Sequence, residues 1–362
     1  MRKSVHLRLL HGLTMNSKKT AHIILRIAAL GIAAGCIIQS FQKHGNNQIC
    51  QKQLFAMDTY MTFEAHGKYA EEAVDAAIEE VKKLDALLST GSASSEVYEI
   101  NSAGQGTVSE DTARLLKLSE EIYESTDGLF DITVYPLMEL WGFPSKSYHV
   151  PTETELQRVL TSVGFDKLSF NGKQVLLSEG QKIDFGGIAK GYASGKVIEI
   201  FQSYGIEDGL VSLGGNIQTI GVNQEGLPWN IGIRDPKGDQ NDIIASVRIS
   251  GKAVVTSGGY ERYFEEDGNT YIHILNPKTG YPADGDLVSA TIISKDGALA
   301  DAMSTSVYLM GLEKAEDYWR AYGEDFEMIL MTEDGNIYVT EGISEDFVCQ
   351  KEFSMIRRTG KR

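Results

Sequence analysis

Three dipeptides, Asn171-Gly172, Asp267-Gly268 and Asp334-Gly335, lie between short stretches of mixed apolar and polar residues, and they constrain this fold more than any other feature. Asn-Gly and Asp-Gly accept positive φ at both centres of a two-residue turn, whose twist matches that of two antiparallel strands. Each therefore predicts a hairpin, the first joining KLSF to QVLL. Further strands are expected over 210–213, 229–233, 243–249 and 288–293. Between them lie helical periods. From 69 to 88 the apolar positions Val74, Ala77, Ile78, Val81, Leu84 and Leu88 recur at helical spacing with Glu and Lys between. Other helices are expected at about 112–125, from a capping box at Thr152 and Glu155 to near Gly164, at 188–204 and at 297–310. Hairpins interspersed with helices imply an α+β fold, with antiparallel or mixed sheets and flanking helices, rather than a doubly wound parallel sheet.

The chain of 362 residues, 42% hydrophobic, is long enough to bury a full core. Its first 50 residues carry seven Lys/Arg and no Asp/Glu, so a formal net charge of −16 leaves a strongly acidic body, which argues against nucleic acid as a partner. The basic start runs into an apolar stretch over 23–38 that turns polar at Gln39, the pattern of an export signal, with Met15 a possible start. Cys36 follows Ala33-Ala34-Gly35, a small-residue run resembling a lipobox. The apolar stretch falls short of the roughly 20 residues that span a bilayer. A lipid anchor at the extracytoplasmic face of the cell membrane is therefore expected over an uncleaved helix. Residues 39–53 read as a polar tether, 54–350 as the folded domain and 351–362 as a basic tail. Three cysteines, Cys36, Cys50 and Cys349, with no Cys-x-x-Cys, support neither a zinc site nor a disulfide framework.

Four segments carry functional atoms. In KIDFGGIAKGY, residues 182–192, an apolar strand ends at Asp184 and two glycines lead into a helix, whose free N–H groups favour an anion. The letters DFG invite a kinase reading, but no Gly-rich hairpin, strand lysine or H-R-D loop accompanies them. Here the Gly187 carbonyl can face a metal and Lys190 a phosphate; a close strand–helix crossing would also need these glycines. Asp301 and Thr305, four apart, share a helix face and offer hard oxygens suited to Mg²⁺. A dipole-stabilised Asp and a Thr bonded back to a carbonyl explain them as well. In Ser212-Leu213-Gly214-Gly215-Asn216 a strand opens into glycines that let backbone approach a flat or phosphorylated ligand, or form a plain bulge. His273, on a strand ahead of Asn276-Pro277 and Thr279-Gly280, is either a general base or a structural histidine.

Taken in order, Met57-Asp58-Thr59, Gly128-Leu129-Phe130-Asp131-Ile132-Thr133, the Asp184–Tyr192 segment, Leu213-Gly214-Gly215-Asn216, Ser257-Gly258-Gly259-Tyr260-Glu261-Arg262, the segment from His273 to Gly280 and Asp301-Ala302-Met303-Ser304-Thr305 resemble the motifs of the ApbE family, the FAD:protein FMN transferases. The resemblance runs from Met57 to about Gly311 and implies an ApbE-like, T-fold-related architecture. It implies that Met57, Leu129, Phe130 and Asp131 line a flavin pocket, that Asp184, Lys190, Gly214 and Gly215 contact FAD, and that the Gly187 carbonyl joins Asp301 and Thr305 around Mg²⁺. His273 falls where the family places a base. The implied reaction is Mg²⁺-dependent transfer of FMN from FAD to a Ser/Thr hydroxyl of an exported acceptor carrying a flavinylation motif, a redox subunit or flavin-carrier domain, with release of AMP. An FAD pyrophosphatase and a non-catalytic lipid-anchored flavin-binding protein are the alternatives. Two positions depart from the family pattern: Asn276 stands where Asp is common, and Gly91 where an aromatic residue often covers the flavin.

Overall fold

The computed structural model describes residues 39–44, 47–239 and 241–359. Its main sheet has ten strands whose spatial order is their chain order: Gln39–His44, Asn47–Ala56, Thr59–His66, Asp208–Leu213, Asn216–Ile220, Ala253–Gly258, Leu287–Ser294, Phe326–Thr332, Ile337–Thr340 and Ser354–Ile356. Neighbours pair antiparallel except the last two strands, which run parallel. The fold is α+β, as the hairpin signals imply.

Alternation along the central strands shows what covers each face. Ala253, Val255, Ala290, Ile292, Met328 and Leu330 face the helices Ala70–Leu88, Ala189–Ser203 and Gly297–Tyr322. Val254, Ile293, Ile329 and Met331 face a second, three-stranded sheet of Trp229–Arg234, Ile243–Ile249 and Phe347–Cys349. Burial on both faces explains why LVSATIIS and FEMILMT are nearly continuous apolar runs. In Ala70–Leu88 all six apolar positions named from the sequence are buried. The capping box forms at Thr152 with both of its bonds, on a helix that ends at Leu160. The helix expected to stop near residue 310 continues to Tyr322, interrupted at Gly311, where φ is 73° and ψ 172°.

Two expectations at the ends of the domain are corrected. Residues 47–53 belong to the strand Asn47–Ala56, which pairs with Thr59–His66 from Ile49 to Ala56; they are no tether. Cys50, Lys52, Leu54 and Ala56 alternate inward, and a lysine at one inward position hid the period. That buried ammonium is held by Asp75 at 2.6 Å and Glu71 at 3.7 Å. Within the expected tail, Ser354–Ile356 completes the sheet and buries Ile356, a strand too short to show a period. Residues 1–38, where an export signal and a lipid-bearing Cys36 are expected, lie outside the described residues.

The helices Ala189–Ser203 and Gly297–Tyr322 cross at a pair of glycines. A Cβ on Gly191 would lie 2.1 Å from the Gly297 carbonyl oxygen and 2.6 Å from Asp301 Cβ. Gly191→Ala should therefore force the helices apart and destabilise the protein by about 1–3 kcal/mol, the usual range for overpacking. Gly195, in the same helix, has nothing within 4 Å of its added Cβ, so Gly195→Ala should be neutral or stabilising by about 0.5–1 kcal/mol. Urea unfolding of both variants checks the crossing, and equal stabilities would refute it.

Candidate active site

Three chain reversals share one end of the main sheet: the turn Met57-Asp58, the turn Gly214-Gly215, and the end of Ala253–Gly258. Met57 and Asp58 both take positive φ, 46° and 57°, without glycine. Such strain is held only by surroundings that over-determine it. Asp85 supplies part of that hold by accepting from Met57 N at 3.1 Å. Gly214, at φ 61°, is required by close approach, since its Cβ would stand 2.3 Å from Thr59 Oγ1. The neighbouring Gly215 faces open space.

Beneath these turns the glycine crossing brings the expected metal residues together. Gly191 N donates to Asp301 Oδ2 at 2.8 Å. One turn away, a Cβ at Gly187 would lie 3.3 Å from Phe130 Cε2 and 4.0 Å from Thr305 Oγ1. Positions 187 and 191 thus face 305 and 301 in register. Ser257 Oγ adds a third hydroxyl, 2.7 Å from Ser304 Oγ and 3.3 Å from Thr305 Oγ1. Burial raises the pKa of Asp301, opposed by the Lys190 charge and the Gly191 N–H. Asn216 lies beside it, and its side-chain amide adds to that opposition. Asp184 caps the glycine turn by accepting from Gly186 N at 2.9 Å, and burial likewise raises it against the charge of Arg262.

His273 joins this group through two cations. Its backbone N–H and its Nδ1 both lie on the Arg262 carbonyl, at 3.0 and 3.1 Å. A carbonyl only accepts, so Nδ1 carries the proton and Nε2 keeps its lone pair. Part of the ring meets solvent, yet protein surrounds most of it. Loss of hydration and the charges of Arg262 and Lys190 push its pKa down from 6.5 to about 4, outweighing the carbonyl bond. Asp184, Arg262, His273, Lys190 and Asp301 therefore form one electrostatic group.

Other expected residues have different surroundings. Asp131 is buried and its oxygens are engaged: Oδ1 accepts from Thr133 N and Oγ1 at 2.8 and 2.7 Å, Oδ2 from Phe165 N at 3.2 Å. It caps the turn Ile132–Val134. Burial still lifts it to about 6. Phe130 is buried against Gly187, whereas Leu129 is half-buried. A cleft of about 620 Å³ runs past Gly128, Asp131, Gly164 and Lys278, and none of Asp184, Lys190, Asp301 and Thr305 lines it. Gly91 meets nothing within 4 Å of an added Cβ, and the neighbouring Thr90 lies beside Tyr135, which also feels Asp184. The roles of Ser257, Asn216 and Arg262 were not read from the sequence. Their signal was membership of two segments that carry the family resemblance, Leu213–Asn216 and Ser257–Arg262, which assigned them no role.

Residues 57–330 match the profile of the ApbE family. The chain belongs to this family. An FAD:protein FMN transferase of Klebsiella pneumoniae is 34% identical over 266 residues, 72% of this chain and 82% of that protein. One of Vibrio cholerae is 31% identical over 315 residues, 86% and 94% of the two. Among solved structures, the ApbE protein of Thermotoga maritima superposes with a TM-score of 0.77 at 34% identity, over 82% of this chain and 98% of that one. The apo flavinyl transferase ApbE of Pseudomonas stutzeri gives 0.75 at 27% identity, over 84% and 98%. The ApbE fold is thus shared nearly end to end by those proteins, and in this member it gathers the Asp301 and His273 motifs at one place.

In this ApbE-family chain, Arg262→Gln removes one cause of the low His273 pKa. An NMR titration of the ligand-free protein should show that pKa rising from about 4 while staying below 6.5, because burial persists. An unchanged or lower value would contradict the grouping.

Proposed function

We propose that this chain transfers FMN from FAD to a Ser or Thr hydroxyl of a partner protein, releasing AMP, with Mg²⁺ as the accompanying ion. The observation that carries the reading is the pairing of a buried, under-compensated carboxylate at Asp301 with a tautomer-fixed imidazole at His273, joined by Lys190. The relatives named FAD:protein FMN transferase support the flavin substrate and a protein acceptor.

The donors fit a hard cation. Asp301 is a carboxylate whose charge burial disfavours, and Thr305, one helical turn on, places its hydroxyl 4.0 Å from a Cβ built on Gly187, whose carbonyl would complete the donors. Among the described residues no cluster of three His, Cys, Asp or Glu exists; a small hard ion takes its other ligands from hydroxyls, carbonyls and water. When bound, Mg²⁺ would offset negative charge on the pyrophosphate. The chain's own residues supply the rest. Lys190 and Arg262 place positive charge beside Asp301, Asp184 and His273. The Asn216 amide, beside the Asp301 carboxylate, adds a donor to this group. The acceptor oxygen attacks the FMN phosphorus as the bond to the AMP phosphate breaks, and His273 Nε2 takes the hydroxyl proton. A base with pKa about 4 is weak at neutral pH. A pyrophosphate set beside Arg262 and Lys190 offsets two of the causes of that low value, so His273 gains basicity when FAD is in place.

A second reading, hydrolysis of FAD to FMN and AMP, is favoured by glycine at position 91, where the family often places an aromatic residue over the flavin and where an added Cβ would meet nothing within 4 Å. For localisation we propose a lipid on Cys36 at the extracytoplasmic face. Cys36→Ser should then shift the protein from the membrane to the soluble fraction, and unchanged fractionation would contradict the anchor.

Asp301→Asn keeps an acceptor for Gly191 N–H and removes the charge, so it should fold normally while AMP release with FAD and Mg²⁺ falls at least about 100-fold. Thr305→Ala should do less harm. His273→Asn should lower single-turnover transfer by about 10²–10⁴-fold with FAD affinity retained. Intact mass of a flavin-carrier domain, read beside AMP release, separates transfer from hydrolysis. A normal rate in Asp301→Asn would overturn the metal assignment.

A further inference from the structure

The residues between Arg262 and His273 form a hairpin on their own. Tyr263–Glu266 pairs only with Asn269–Ile272, around a turn at Asp267 and Gly268 where φ is 51° and 79°. A lone two-stranded sheet is marginal unless something anchors it. Here one side does: Phe264 is buried, stacked on Tyr148 at 4.7 Å and on Tyr271 at 5.1 Å between ring centroids. The other face is covered at its base, where Ile272 packs on the main core, and open beyond it: Tyr263 is 49% exposed, Glu265 is exposed on the same face, and Glu266 and Asp267 are exposed at the turn. Arg234 pairs with Glu261 and Lys278 with Asp127. Among the described residues no ion pair reaches the three acids at the tip.

The hairpin closes on the reacting group. Its two ends meet where the Arg262 carbonyl accepts from His273 N and Nδ1. Phe143 brings the aromatic anchor to His273, 6.4 Å between ring centroids. A hydroxyl that gives its proton to His273 must come within hydrogen-bond reach of Nε2, so the protein bearing it must reach the base of this hairpin, where His273 follows its second strand. An exposed tyrosine on a rigid arm, beside unpaired negative charge, has the composition of a protein-binding surface that selects a basic partner.

We propose that the hairpin Tyr263–Ile272 is the docking arm for the acceptor protein, which lays against it an extended segment carrying Lys or Arg near the receiving hydroxyl. This rests on the transfer reading above. The arm does two things at once: it captures the acceptor and, through Arg262, holds the imidazole that the acceptor's hydroxyl meets.

The test uses the full chain, FAD, Mg²⁺ and a purified flavin-carrier domain with a Ser/Thr flavinylation motif as probe. The variants are Tyr263→Ala and the double change Glu265→Lys with Glu266→Lys. Each should raise KM for the carrier domain about tenfold, with kcat and the FAD KM within about twofold of wild type. The charge variant should also lose most of the salt dependence of carrier KM. An unchanged carrier KM in both variants overturns the proposal and leaves the acidic tip as a guard against strand-edge pairing. An equal rise in FAD KM overturns it too, by reassigning the hairpin to FAD binding. A wild-type chain that leaves the carrier's mass unchanged overturns the transfer reading along with the arm, whereas transfer unaffected by the variants overturns the arm alone.

Discussion

Two helices meet without side chains at Gly191 and Gly297, and the site depends on that contact. Each glycine occupies space the other helix needs: a Cβ on Gly297 would lie 2.4 Å from Gln218 Oε1 and 2.6 Å from the Gly191 carbonyl oxygen. Ser194 Oγ, bonded to Gln218 Oε1 at 2.7 Å, fixes the crossing to the sheet. The approach lets a backbone N–H reach a buried carboxylate at Asp301 and brings Thr305 against Gly187. A methyl group in the contact would separate the two pairs together, because they lie one turn apart on the same two segments. Burial of a carboxylate with incomplete compensation costs several kcal/mol. The large core on the helix face of the sheet, from Phe63 and Val211 to Leu330, offsets that cost.

Each charged group at the site is short of a counter-charge. At Asp301, desolvation outweighs Lys190, the Gly191 N–H and Asn216, so the carboxylate lacks positive charge. Asp184 has the same deficit despite Arg262. At His273 the sign reverses: two cations add to desolvation, so the ring lacks negative charge. One ligand that brings a divalent cation to the carboxylates and an anionic pyrophosphate to the cations removes all three deficits. Differences in proton affinity within a small volume are how a protein keeps one group acidic and another basic at one pH. In the transfer we propose, they would also tie the base strength of His273 to occupancy of the site.

Much of this was legible where a period or a turn signal is strong. The helix Ala70–Leu88 was read from six apolar positions, and Asp267-Gly268 from its turn chemistry, since both signals are local. Glycine pairs beside strand ends marked Gly187, Gly214 and Gly215, and helical spacing put Asp301 and Thr305 on one face. What escaped was set by contacts between distant segments. Lys52 broke an alternation because Glu71 and Asp75 supply its charge partners. The turn Met57-Asp58 carries no glycine, so its positive φ values left no trace in composition. Asp131 sits in a recognisable motif, but its commitment to Thr133 and Phe165 is visible only in three dimensions. Arg262 acts on His273 through a carbonyl and on Asp184 through its charge, and no spacing rule links 262 to 184.

The central claim is that the glycine crossing builds a cation seat from Asp301, Thr305 and Gly187 beside a pyrophosphate site. Crystals grown with FAD and Mn²⁺, measured at the manganese absorption edge, test it most directly. The account predicts an anomalous peak about 2.1–2.2 Å from an Asp301 carboxylate oxygen, with Thr305 Oγ1 and the Gly187 carbonyl in its shell, distances set by the small size of such an ion. A peak that avoids Asp301, or one that persists undiminished there in Asp301→Ala crystals, would contradict it.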